Sequence, residues 1–102
     1  MPKFRADDSD AAAVLALFAK RKGLRHLRVR RHVDTLVIES DDVDDPFKHA
    51  RLRKVSVHLW RLEMPAGSRW DVLPDKEELA KLVDDLVTLY PWTLHPVGGP
   101  SR

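Results

Sequence analysis

The sequence predicts an α+β fold: a four-stranded antiparallel meander with an N-terminal and a C-terminal helix packed on one face. Two observations lead there. Apolar residues recur at helical spacing near both ends, at Ala11, Val14, Leu17 and Phe18 and again at Leu79, Leu82, Val83, Leu86 and Tyr90. Between these stretches the period falls to two, the signature of strands with one wet face. The order α-β-β-β-β-α, with strands following one another directly, reads as a meander carrying both helices on one side. A chain of 102 residues is one domain's worth, placed at 1–97 with a loose tail at 98–102.

The first helix is expected over Ala11 to Lys22. Ser9 or Asp10 offers side-chain oxygens to its free amides, and Gly23 stops it. Lys20, Arg21 and Lys22 then fill the last turn, favourably placed against the negative end of the helix dipole. Leu27 and Val29 alternate with Arg28 and Arg30, giving a strand with one wet face, and Val33 and Asp34 make the turn that follows. Thr35 to Glu39 is β-rich and apolar enough to lie inside the sheet. Asp41 to Pro46 reads as a solvated acidic loop, since like charges repel and proline cannot continue a ladder.

The strongest strand signal is Lys54 to Met64. Val55, Val57 and Leu59 alternate with Ser56, His58 and Trp60, and a bulge near Leu59–Arg61 reconciles the change of phase with Leu62 and Met64. Pro65 to Ser68 makes a turn, and Arg69 to Leu73 a fourth strand. The second helix is expected to start at Asp75, with Glu78 in the capping-box position, and to end at Pro91. Trp92, Leu94 and Val97 are expected to pin the C-terminal strip to the body.

Composition excludes several chemistries. There is no cysteine, so thiolate metal sites, disulfides and cysteine nucleophiles are ruled out. The longest apolar run, Ala11 to Ala19, falls well short of the ~20 residues that span a bilayer and follows aspartates rather than a basic leader. A cytoplasmic protein with no membrane association is therefore expected. The acidic loop offers neither the glycine nor the closing glutamate of an EF-hand. His26, His32, His49, His58 and His95 make no metal-ligating pair, so no metal and no cofactor are expected. No glycine-rich phosphate loop or Gly-x-Ser-x-Gly elbow occurs, and no catalytic residue is assigned.

Charge is segregated along the chain. Residues 1–33 hold nine Lys/Arg against three Asp/Glu, residues 34–50 one against six, residues 51–70 five against one, and residues 71–102 three against six. The candidate binding residues come from the basic blocks: Arg25, Arg28, Arg30, Arg31, His58 and Trp60. Arg28 and Arg30 are expected on one sheet face beside Lys54, Arg53 and His58, with Trp60 the most exposed tryptophan. Three functional readings follow. In the first, a non-enzymatic module engages a protein partner or a second copy of itself, with Trp60 as the desolvated anchor. In the second, the same face binds nucleic acid, with Arg25 and Arg31 as further phosphate contacts and Trp60 or Trp70 stacking on a base. Asp75, Glu77 and Glu78 at the second helix stand against a double-stranded-RNA module, because they would repel the backbone. The third is a metal-dependent nuclease or toxin-like enzyme around Asp34 and Glu39. Against all three stands the possibility that the arginines are neutralised within the fold, by the acidic loop and by Asp84 and Asp85.

Asp45-Pro46, Ala50-Arg51-Leu52-Arg53, Trp60-Arg61-Leu62 and Arg69-Trp70 resemble the pattern of a family of small uncharacterised bacterial proteins. Its members carry Trp-x-Leu-Tyr-Trp, then Lys/Arg-Trp-His-x-Tyr, then a closing Phe-Trp-Gly. The resemblance spans about residues 35–92, and Glu63, Met64 and Asp71 depart from it. It implies the sheet-plus-helix fold and brings no activity with it.

Overall fold

Helix α1 (Asp8–Ala19) starts three residues before the point expected, because Asp7 rather than Ser9 or Asp10 is its cap. The Asp7 carboxylate accepts from the Asp10 amide at 2.9 Å, and the Asp10 carboxylate accepts from the Asp7 amide at 3.1 Å, a reciprocal capping box. The computed structural model describes residues 4–21, 23–40 and 47–94. The acidic stretch at 41–46, Lys22, His95, Val97 and the tail at 98–102 therefore lie outside the described residues, as does the side chain of Trp92. The helix ends at Ala19 rather than Lys22, with Gly23 at φ 84° in the turn beyond it.

Among the described residues five strands follow, not four, in one antiparallel sheet whose order is the sequence order. They are β1 (Arg28–His32), β2 (Thr35–Ser40), β3 (Phe47–Lys54), β4 (Trp60–Ala66) and β5 (Arg69–Glu77). The added strand is β3. Its inward apolar residues are only Ala50 and Leu52, with His49 and Lys54 on the same side and Arg51 and Arg53 on the opposite face, so its own sequence gives a weak signal. Its ladder partners on both sides supply what its side chains do not: Leu52 lies opposite Leu36 on one side and Leu62 on the other.

The long strand expected over Lys54 to Met64 is two pieces. Val55 to Leu59 is the turn between β3 and β4, closed by the Val55 and Ser56 amides on the Leu59 carbonyl and by the Leu59 amide on the Ser56 hydroxyl. The change of phase near Leu59 marks this hairpin and not a bulge. The register shift in β4 falls later, between Arg61 and Glu63, where it faces β5. A two-residue turn at Gly67–Ser68, with Gly67 at φ 66°, joins β4 to β5. Strand β5 runs through Asp75, the expected helix cap, to Glu77. Helix α2 (Leu79–Leu89) then starts at Glu78, whose side chain makes no capping bond.

Successive residues point to opposite faces of a strand, and here every sheet residue of the main apolar cluster lies on one face. Leu36, Ile38, Ala50, Leu52, Trp60 and Leu62 meet Val14 and Phe18 of α1, and Leu82, Val83 and Leu86 of α2. Both helices cover that face, and a closing 3-10 turn (Pro91–Leu94) places Leu94 in the same core. Trp60 is part of it at 3% exposure, which corrects the expectation of an exposed aromatic. The cause is register. Trp60 pairs with Lys54 and Glu77 on the helix side, and the Lys54 ammonium sits 5.5 Å over its ring. Among the described residues no helix is long and apolar enough to cross a membrane.

Candidate functional site

Among the described residues no helix lies on the sheet's other face, and the ladder register decides what it displays. On β1 and β2 the opposed pairs Arg28–Glu39, Arg30–Val37 and His32–Thr35 lie there. Val37 leads on to Arg51 and Thr35 to Arg53; Arg51 lies opposite Glu63, and Arg53 opposite Arg61. Arg61 in turn faces Lys76, Glu63 faces Val72, and Pro65 faces Trp70. Lys48, opposite Glu39 beyond the β2 register shift, completes the set. Among the described residues the face thus holds seven Lys and Arg side chains against Glu39 and Glu63, with Asp34 at its rim in the β1–β2 turn.

The carboxylates form a lower layer and the guanidiniums lie across them. Glu63, 2% exposed, accepts from the Nε of Arg51 on one oxygen and from the Nε of Arg53 at 2.8 Å on the other. Arg53 also donates to Asp34 at 2.7 Å. The Glu63 hydrogen bond, reinforced by Asp34, raises the Arg53 guanidinium above its ordinary pKa against the opposing effect of burial. Glu39, also buried, takes the Arg30 Nε on both oxygens at 3.3 Å. The stems of these long side chains explain why Thr35 and Val37 are buried on a face with no helix above it. Arg51 is further fixed over Trp70, 4.4 Å from the ring centroid.

At the β4–β5 end the compensation stops. Arg53, Arg61 and Lys76 stand directly opposite one another on three neighbouring strands, and like charges so placed are destabilising. Arg53 has its two carboxylates. The Nε of Arg61 is buried without a hydrogen-bond partner among the described residues, at a cost of about 1–3 kcal/mol for an unsatisfied donor.

The structure places Arg28 and Arg30 on this face, as expected, and adds Arg51 and Arg61, which the sequence reading left out. Arg53 lies beside them, as expected from the sequence. The period of two in Arg51-Leu52-Arg53 and Arg61-Leu62-Glu63 was the available signal. Arg31 is on the helix side, opposite Leu36, where it donates to Asp8 of α1 at 3.0 Å. Arg25 lies in the α1–β1 connection, lining a shallow apolar cleft of about 300 Å³ with Leu15, Phe18 and Leu27. Lys54 is also on the helix side, paired with Asp10 at 3.3 Å. His58 is exposed in the β3–β4 turn. Internal neutralisation does occur, through Glu39, Glu63, Asp34 and Asp8; of the carboxylates expected for it, Asp84 takes Arg21 at 2.8 Å.

A second polar cluster escaped the sequence reading. Ser40 and His49, at 2% and 1% exposure, are 2.6 Å apart from Oγ to Nε2, and His49 Nδ1 lies 2.6 Å from the Thr93 carbonyl. A carbonyl only accepts, so Nδ1 carries the proton and Nε2 accepts from the Ser40 hydroxyl. The geometry is that of an activated serine, but both groups are sealed, and the pair serves to brace β2 and β3 against the closing turn. Burial lowers the His49 pKa, the Thr93 hydrogen bond acts the other way, and His26, with its ring 5.9 Å off, lowers it further. The carboxylates proposed for a nuclease centre, Asp34 and Glu39, are each held by an arginine, and among the described residues no three His, Asp or Glu gather as a metal set. No family model matches the chain, and neither a curated protein nor a solved structure matches it.

Proposed function

We propose that the chain is a small non-enzymatic binding module that takes a nucleic-acid strand on its helix-free sheet face. The observation behind the reading is the charge of that face: among the described residues it sets seven cations against three carboxylates, a positive excess that remains after the pairing found there. Arginine forks match phosphate oxygens, and guanidiniums already fixed by Glu39 and Glu63 lose little freedom on binding. The alternative of a protein partner loses its expected anchor, since Trp60 is in the core. Self-association through this face would set one cationic surface against another, because a two-fold interface is made of the same patch twice. The family resemblance contributes a fold and no ligand, and the cytoplasmic setting expected from the sequence fits the reading.

The test is fluorescence anisotropy of labelled oligonucleotides titrated with the protein at about 50 mM and about 200 mM salt. Saturable binding that weakens steeply with salt is expected, together with a loss of affinity in Arg30→Gln. No binding at the lower salt would sink the reading.

A further inference from the structure

We infer that the ligand is single-stranded, with its phosphates on the Arg53–Arg61–Lys76 row and a base stacked on the Arg51–Trp70 pair. The inference rests on the nucleic-acid reading above and adds the kind of strand and its track.

Shape supports it first. Five strands about 4.8 Å apart make a face roughly 19 Å across, whereas the major groove of a duplex is about 12 Å wide and admits a helix or a two-stranded ribbon. A sheet of this width does not enter that groove. A single strand can lie along the sheet with its bases unstacked.

Charge gives the track. Across most of the face each guanidinium has a carboxylate beneath it: Arg30 on Glu39, and Arg51 and Arg53 on Glu63. Arg61 and Lys76, directly opposed on β4 and β5, show no ion pair among the described residues, and the Arg61 Nε is buried without an acceptor. Two adjacent cations lacking a counter-charge, one of them the exposed Lys76, are suited to a phosphodiester, whose negative charge would relieve the repulsion between them. Beside this row, Arg51 is held on one side by Glu63 and rests on Trp70, a rigid planar pair of the kind on which bases stack in sequence-tolerant single-strand binding. The exposed Val72, opposite Glu63, lends apolar surface between the two.

The experiment compares single-stranded and duplex oligonucleotides of about 16 nucleotides with poly-glutamate as a competing polyanion. Anisotropy gives affinity, and tryptophan emission reports stacking. Tighter single-strand binding is expected, with tryptophan quenching that is lost in Trp70→Phe. Lys76→Gln, on an exposed side chain whose loss leaves the fold intact, should flatten the log–log salt slope by about 0.7, the contribution of one single-strand phosphate. Arg61→Gln should do the same. Equal or tighter duplex binding, or an unchanged slope in Lys76→Gln, overturns the inference while leaving the nucleic-acid reading in place. Binding of poly-glutamate with no binding of any oligonucleotide overturns both and assigns the face to an acidic protein.

Discussion

Glu63 is the counter-charge for two guanidiniums in a layer that is mostly dry, so its removal acts on both at once. Glu63→Gln is expected to destabilise the fold by roughly 2–4 kcal/mol in urea denaturation, less than the full cost of a stranded buried charge because Arg53 stays about one-third exposed. Breaking the exposed Arg21–Asp84 pair should cost under about 0.5 kcal/mol, since water screens it. Trp60→Ala should cost about 3–5 kcal/mol through the cavity it leaves, and should leave ligand affinity per folded molecule unchanged. A reduced affinity after correction for unfolding would contradict its placement in the core. At the β1–β2 turn, Val33 has φ 55°, a left-handed conformation that a β-branched side chain disfavours. Val33→Gly is expected to raise stability by about 1 kcal/mol, and a fall in the urea midpoint would show that the turn carries no strain.

The elements differ in what holds them. Helix α1 has its reciprocal cap, and the Ser9 hydroxyl and Asp10 amide keep the Asp7 carboxyl below its ordinary range. Helix α2 has no side-chain cap and relies on the apolar stripe of Leu82, Val83 and Leu86. The closing 3-10 turn depends on two imidazoles: His49 donates to Thr93, and His26 lies 2.6 Å from the Leu94 carbonyl. Because burial depresses the His49 pKa, the unfolded chain takes up that proton first as the pH falls. Stability from this group is complete above its unfolded value of 6.5 and is lost as pH drops from there through the lower folded value. Urea midpoints measured from neutral pH down to about pH 5 should decline over that window, and His49→Gln should lessen the decline. A decline of equal size in His49→Gln would assign it to another group. At the sheet margins, β1 is short and rich in arginine, while β5 is interrupted by Pro74 and a register shift, both of which discourage edge pairing.

Taken whole, the molecule has a dry side and a charged side, and the sheet separates them. The helices seal one face. The other is left to a layer of arginine over glutamate, which covers that face without a hydrophobic element. On this geometry, sedimentation at rising protein concentration should show a monomer at low salt, where repulsion between like faces is greatest. A dimer that tightens as salt is lowered would instead mean that the face pairs with the acidic part of a second copy.

The sequence by itself determined what depends on near neighbours in the chain. The apolar stripe of α1 and all of the stripe of α2 were legible at helical spacing, as were the Val33–Asp34 turn, the turn at Gly67 and the outward alternation of Arg28 and Arg30, whereas α1 ends at Ala19, ahead of the stop read at Gly23. Tertiary structure decided the rest. Strand β3 exists because two neighbours complete its ladder, and its own Ala50 and Leu52 are too few to announce it. Trp60 is buried and His58 exposed because a hairpin turn falls just before Trp60, which the run of alternating residues across Val55 to Leu59 conceals. The site was half legible for the same reason. Alternation within a strand shows that two residues share a face, but which strands' faces coincide is set by pairing register. That register brought Arg51, Arg53, Arg61 and Lys76 beside Arg30 and sent Arg31 and Lys54 to the helices.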